Sequence, residues 1–391
     1  MPAVEKMVAS GDVSGAAHEV SREGYKDPSN LKSLKQFSLL VLRQGLKEKD
    51  PYERCYAAAA LAEGGEGSGI PVLKAAFDAP ETTLRMAAID GLSEINDTAS
   101  KALLKKLYNS ASLVDKRVLL DALGRSGDPE VTGLLFEATT SSDQVTRLTA
   151  VRALGKSRDR SLGPKMHELL AQNHDPLEAA EISRAMFEQG DSSAMNETKY
   201  LAHYPSRPEV RAIAALALGD ARDRSVVPEL TKMMADPDAD VRLATAVALT
   251  NYADRQAVKY LVASIASDDS LTRQHLGQLL EIVNFDNGRE VFLAALASPD
   301  ENLEIWATRA IGLHGGESEV AVLQESLRNT KDPMMRAGVA WAFGRIARPA
   351  CIPVLMAMIP EADPAVRYTA ADALGRTASG LLEKRPVEKD I

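Results

Sequence analysis

At 391 residues the chain is long enough for two or three ordinary domains, and its 45% hydrophobic and 26% charged content is that of a folding sequence. Only 5% of residues are aromatic, so the interior has to be built from Ala, Leu, Val, Ile and Met. A net charge of −9, spread evenly over both halves, argues against gripping a phosphate backbone. The two cysteines, Cys55 and Cys351, exclude a disulfide framework or a Cys-rich zinc site, and no apolar run approaches the length of a membrane span.

The N-terminal MPAVEKMVASGD lacks the basic start and apolar core of an export signal, so a cytoplasmic protein is expected. Residues 1–47 read as a weak helical pair, Val4 to Val20 and then Leu34 to Leu46, forming an N-terminal helical cap. From residue 48 the chain repeats itself to its end. A basic column marks the period: Arg54, Arg85, Lys116, Arg147, Arg211, Arg242, Arg273, Arg336 and Arg367, with Ala179 and Glu304 in the two remaining places. Successive places are 31 or 32 residues apart. The units fall at about 48–78, 79–109, 110–140, 141–172, 173–204, 205–235, 236–266, 267–297, 298–329, 330–360 and 361–391. This predicts one continuous array with no linker.

Each unit has two amphipathic halves at helical spacing. Leu recurs seven places after the basic residue, as in Leu123, Leu154 and Leu218, and Gly follows at Gly124, Gly155, Gly219, Gly312, Gly344 and Gly375. Gly suits a left-handed helix end, so the first helix is expected to stop there. An acidic column comes next: Glu66, Asp97, Asp128, Asp159, Asp191, Asp223, Asp254, Asp286 and Glu317. These acids are expected to cap the second helix, whose first turn holds Pro71, Pro164, Pro228 and Pro353. The predicted fold is an all-α, right-handed α-α superhelix (solenoid) of about eleven such hairpins. Stacking sets equal positions side by side, so the cations and turn acids are expected to bond as a structural ladder, Arg242 reaching a turn carboxylate of its own or an adjacent unit.

The phrase ADPAVRYTAADALG recurs as DPDADVRLATAVALT, KDPMMRAGVAWAFG and SDQVTRLTAVRALG. This pattern resembles the short HEAT-like repeat of the phycobilisome-lyase type. Proteins similar in this way include bilin-lyase subunits, deoxyhypusine hydroxylases and adaptors without chemistry. The resemblance implies that the second helices line a concave binding surface.

Two units break the pattern. The fifth carries Ala179, Phe187 and Thr198 against the consensus, together with Lys199, Tyr200, His203, Tyr204 and Arg207, the densest aromatic and basic cluster in the chain. The ninth carries Glu304 and Trp306, and the tenth has Trp341 in a largely polar column and Arg348 where the acid belongs. Tyr, Trp and Arg are the types enriched at binding hot spots, so Lys199, Tyr200, His203, Tyr204, Arg207, Trp306 and Trp341 are the candidate contacts with a protein partner. The His18–Glu19 and His167–Glu168 dyads resemble those that hold iron in the hydroxylases, but they lie far apart with no completing pair, so no metal is expected. No phosphate loop, dinucleotide fingerprint or nucleophile elbow occurs, and no catalytic residue or cofactor is expected. The expected function is a non-catalytic scaffold or adaptor binding protein on its concave surface. The alternative is a bilin-lyase-like or chaperone-like subunit acting on a chromophore-bearing protein, and a nucleic-acid binder is third.

Overall fold

The structure, a computed structural model, describes residues 1–22, 27–64, 66–93, 98–125, 129–157 and 160–383. Three helices come first, α1 (Pro2–Ala9), α2 (Val13–Ser21) and α3 (Pro28–Gly45). Paired helices follow: α4 (Pro51–Glu63) with α5 (Ile70–Phe77), α6 (Thr82–Ser93) with α7 (Thr98–Ser110), and α8 (Leu113–Arg125) with α9 (Pro129–Ala138). The next pairs are α10 (Gln144–Lys156) with α11 (Gly163–Gln172), α12 (Pro176–Glu188) with α13 (Met195–Leu201), and α14 (Pro208–Asp220) with α15 (Val227–Met233). Then come α16 (Ala239–Thr250) with α17 (Arg255–Ile265), α18 (Ser270–Leu279) with α19 (Phe285–Leu296), and α20 (Glu301–His314) with α21 (Glu317–Asn329). The last are α22 (Pro333–Ile346) with α23 (Ile352–Met358), and finally α24 (Pro364–Glu383). The fold is an all-α superhelix of helical hairpins, without a strand among the described residues. Among the described residues no helix is long and apolar enough to cross a membrane.

Most of the first helices are preceded by an aspartate four places before the basic column, with Glu81, Ser112 and Arg207 in the three other places. Asp50, Asp175 and Asp238 each accept two backbone amides of the first turn, and Asp143 accepts the Thr146 amide at 2.7 Å. The carboxylate satisfies otherwise orphaned donors and meets the positive end of the helix dipole. Pro71, Pro164, Pro228 and Pro353 sit in the first turns of α5, α11, α15 and α23 as the sequence predicts.

Among the described residues, the column arginines bond the chain that enters their own helix. Arg242 donates through Nη1 to the carbonyls of Asp236 and Pro237 at 2.7 and 2.9 Å, six and five residues back. Arg54, Arg85, Arg147 and Arg367 hold the same two carbonyls of the turn before their own helix. Arg211, Arg273 and Arg336 add a carboxylate from the following inter-unit turn, namely Asp236, Asp300 and Glu361, at 2.8–2.9 Å. Lys116, too short for the fork, lies over the Tyr108 ring. The physical reason is position: a residue in the first turn points back toward the chain that enters its helix, where the end of the preceding helix leaves carbonyls unsatisfied.

The expected acid ladder is therefore replaced by separate local roles. Asp254 caps α17, Asp223 caps the short turn before α15, and Asp191 accepts the Ser193 amide. Glu66 pairs with Arg43 at 2.8 Å, while Asp286 and Glu317 lie inside the first turns of α19 and α21. Asp97, Asp128 and Asp159 lie outside the described residues.

The recurrent glycines do not end the first helices. Gly124, Gly155, Gly219, Gly312 and Gly344 are all helical, and α24 runs straight through Gly375. A Cβ on Gly124, Gly219 or Gly344 would come within 2.6–2.8 Å of Ala153, Ala248 or Ala373 in the next first helix. The column is glycine because two helix backbones meet there.

By compactness the chain divides into Lys101–Ala307 and a second unit joining Met1–Ser100 to Thr308–Ile391. In the former, α8, α10, α12, α14 and α16 pack side by side as a continuous layer, whereas α9, α11, α13 and α15 make no comparable contact with one another. The Ala and Gly residues of the first helices, such as Ala153 and Ala217 at 0% exposure, permit the close spacing.

In the other unit both ends of the chain meet. Helix α24 lies between α22 and α3, and α3 contacts both α24 and α4, as a second helix contacts the first helices on either side. The pairing of α3 with α24 is antiparallel: a Cβ on Gly45 would meet the Tyr368 ring at 2.7 Å, and one on Gly375 would meet the Ser38 hydroxyl at 2.6 Å. Tyr368, 2% exposed, donates its hydroxyl to Glu48 Oε1 at 2.8 Å across 320 residues of sequence. Within the described residues, the place of a second helix beside α24 is thus taken by α3.

Candidate functional site

Two places before the basic column and two, five and nine after it, most side chains of the described first helices are exposed or part-buried, whereas Glu181, Leu216, Ala244 and Val247 at these places are buried. The spacing of these places, four, three and four residues, puts them on one stripe of the helix. Nine large hydrophobic side chains of the described residues are exposed, and eight lie on a first helix or its immediate continuation. In the unit of residues 101–307 these are Leu113, Val114, Val145, Leu271 and Ile282, exposed by 37–54%. In the other unit they are Tyr56, Leu313 and Met334. Sequence reading missed this row. Its signal was available, because Val114, Val145, Leu271 and Met334 all stand two places before the basic column, off the buried spacing.

The same stripe carries cross-linked charge in the unit of residues 101–307. Lys156 reaches Asp121 at 2.8 Å, Arg152 Nε reaches Glu181 at 2.9 Å, and Arg184 Nε reaches Asp220 at 2.9 Å. His275 bonds Asp240. Glu181 is 1% exposed, with the Arg152 guanidinium as its counter-charge. These pairs tie neighbouring first helices together and leave the apolar residues at the edge of the layer.

The predicted tryptophans fall on this stripe. Trp306 lies against Gly277 of α18, where a Cβ would come within 3.1 Å of its ring. Trp341 lies over Gly312 of α20 and is flanked by Arg309 at 5.6 Å and Arg345 at 5.2 Å from its ring centroid. Both indoles are part-buried.

The Tyr200 cluster belongs to the other layer. Tyr200, on α13, is 63% exposed and meets Tyr204 edge-on at 6.4 Å. His203 pairs with Glu229 at 2.6 Å, and Arg207 with Glu209 at 2.7 Å and Asp175 at 3.3 Å. Lys199 lies near enough to Asp223 to favour its ionised form, the main cause of which is the Ser225 amide. The substitutions that accompany this cluster are core positions: Ala179, Phe187 and Thr198 are all buried. Glu178, also buried, takes the charge of Arg147 from the preceding unit.

Neither histidine dyad assembles as a pair. His167 turns to Asp191 at 2.9 Å while Glu168 accepts from Gln172, and Glu19 bonds Arg22. No group of three His, Cys, Asp or Glu side chains among the described residues could hold a metal ion. Burial pushes the Cys55 thiol up to about 11 and raises Cys351 as well, so both stay protonated and unreactive at neutral pH.

The sequence profile of HEAT repeats matches residues 39–117, 109–186, 199–281 and 327–385. Among solved structures, the complex of CpcE and CpcF of phycocyanin lyase from Nostoc sp. is similar at 14% identity, covering 71% of this chain and 92% of that one with a TM-score of 0.37. YibA of Escherichia coli is similar at 16% identity over 76% and 98% of the two chains, with a TM-score of 0.29. Kap121p is similar at 12% identity over 92% and 48%, with a TM-score of 0.36. No curated protein matches the sequence.

Proposed function

The chain belongs to the HEAT-repeat family, and on that premise we propose that it is a non-catalytic scaffold holding a protein partner on the exposed stripe of its first helices. The observation that carries this is the distribution of exposed apolar side chains among the described residues: five on the first helices of residues 101–307 or their immediate continuation and three on those of the other unit, against one, Tyr200, on a second helix. Scattered hydrophobic residues need no explanation, whereas a row of them on one face marks an interaction surface. The helices beneath are fixed by Gly-on-Ala contact and by the inter-helix ion pairs, so the surface is preformed and little ordering entropy opposes binding. A second contact at Tyr200 and Tyr204, with Lys199, His203 and Arg207 around them, is favoured by the 63% exposure of Tyr200.

The test compares partners co-purified from the source cells by the parent chain, by Val145→Glu and Leu271→Glu, and by Tyr200→Ala. Both glutamates replace half-exposed side chains and should leave the melting curve unchanged. Loss of partner from the two glutamate variants supports the first-helix surface, and additional loss from Tyr200→Ala supports the second contact. Undiminished recovery by both glutamate variants would refute the proposal.

A further inference from the structure

Where α24 meets α3, a cleft of about 210 Å³ opens. Asp12 before α2, Glu48 past the end of α3 and Arg367 on α24 all line it, and Val13, Val41 and Pro360 give it an apolar wall. Elsewhere in the chain Arg211 and Arg336 each hold an acid that stands six places before the next basic place, Asp236 and Glu361. Helix α24 also touches α4, so the corresponding acid for Arg367 is Glu48, six places before Arg54. That pair does not form. Glu48 Oε1 accepts the Tyr368 hydroxyl at 2.8 Å, and its backbone carbonyl is held by Arg54, as that of Asp236 is by Arg242. Arg367 keeps the carbonyls of Glu361 and Ala362 through Nη2 and lies 5.9 Å from the centre of the Tyr368 ring. Among the described residues it pairs with no carboxylate. Asp12 accepts the Gly15 amide through Oδ1 alone, so Asp12 Oδ2 and Glu48 Oε2 take no donor from the described residues.

We infer that this cleft takes a free α-amino acid with a short aliphatic side chain. Its carboxylate meets Arg367, its ammonium meets Asp12 and Glu48, and its side chain lies on Val13, Val41 and Pro360. Charge of both signs in one small space selects a zwitterion. A simple anion would face two carboxylates, and a simple amine would leave the guanidinium without a counter-charge. A divalent metal is a poorer fit, because no group of three His, Cys, Asp or Glu side chains among the described residues could hold one. At about 30 Å³ per water in the liquid, the space holds several waters, which suits one amino acid and not a peptide or a nucleotide. The walls come from α2 and α3 on one side and α24 on the other, so the ligand touches both partners of the junction and its binding is linked to their closure. The site stands apart from the scaffold reading and adds small-molecule control of the joint between α3 and α24.

The probe is L-leucine, titrated into the full chain by calorimetry, with leucinamide and 4-methylpentanoate as analogues that each lack one charge. L-Leucine is expected to saturate, and each analogue to bind about tenfold or more weakly. The double variant Asp12→Asn/Glu48→Gln keeps the cap of α2 and an acceptor for Tyr368, and is expected to bind leucine about tenfold or more weakly. Arg367→Gln is expected to weaken leucine while leaving leucinamide unchanged, a pattern that misfolding would not produce. Hydrogen exchange reads the junction: with leucine at about a hundred times its dissociation constant, exchange that requires α3 to part from α24 should slow by about a hundredfold. Failure of leucine, isoleucine and valine to saturate at millimolar concentration overturns the inference. So does equal binding of either analogue, parent-like affinity of the acid double variant, or unchanged exchange of α3 and α24 in the bound protein. Each of these results leaves the partner test of Val145→Glu and Leu271→Glu as it stands.

Discussion

Replacing Arg147 by Met tests whether the basic column holds the stack by clamping carbonyls and buried acid, as the geometry of α10 and α12 has it. The guanidinium donates to the carbonyls of Ser141 and Ser142 at 2.8 and 3.1 Å, and through Nε and Nη2 to Glu178 Oε1 at 2.9 and 2.6 Å. The Glu178 side chain is 8% exposed and keeps the Asn173 amide at 3.0 Å when the arginine is gone. Breaking a fully buried pair costs about 3–5 kcal/mol and an exposed one about 0–1 kcal/mol. With Arg147 a quarter exposed and methionine retaining the aliphatic stem, the loss should be about 2–3 kcal/mol. Urea unfolding measures it, and hydrogen exchange localises it to α10 and α12, because a repeat array can open in part. Adding Glu178→Gln should return about 1 kcal/mol or more, since a neutral amide has no stranded charge. A Met variant within about 0.5 kcal/mol of the parent, or no recovery in the double variant, would refute the argument.

Gly219→Val should lower the melting temperature through overpacking of about 1–3 kcal/mol, because its Cβ would meet Ala248 at 2.8 Å. Tyr368→Ala should cost about 3–5 kcal/mol and expose α24 and α3 together to limited proteolysis; protection of either helix alone would contradict their pairing. Cys55 and Cys351 should resist a thiol reagent at neutral pH until the chain unfolds, given exposures of 1% and 0%. Its bond from Arg273 holds the Asp300 carboxyl below the usual carboxylate range, so it stabilises the folded chain above the unfolded value of about 3.9 and that contribution is lost as pH falls through the lower folded value. Asp300→Asn should therefore flatten the acid limb of a pH–stability curve measured by urea midpoint.

Much of the architecture was legible because it is local and repeated. Helix identity, hairpin pairing and the period follow from leucine spacing, the proline column and the basic column, all within one unit. The partners of that column were not legible, since Arg242 and its counterparts act on backbone carbonyls, which leave no residue signature. The glycines misled for a related reason: helix termination and backbone contact call for the same residue, and only the neighbouring Ala248 or Ala373 decides between them. The joining of α3 to α24 was hidden because α3 carries none of the repeat pattern and its partner lies more than three hundred residues away. At the candidate site, Trp341 stood out as an indole in a polar column, whereas its contact with Arg309 depends on two helices meeting.

That junction carries a consequence for synthesis. When α3 leaves the ribosome, the helix that will cover the side bearing Ser38 and Gly45 has yet to be translated. At about 5–20 residues per second, that helix follows only after on the order of tens of seconds. For that interval the nascent chain presents an unsatisfied apolar groove while most of its later hairpins are being made. Native topology here demands a long wait between the first segment and the last, and a holding factor that shields α3 meanwhile should raise the yield of folded protein more than one acting on any hairpin in the middle.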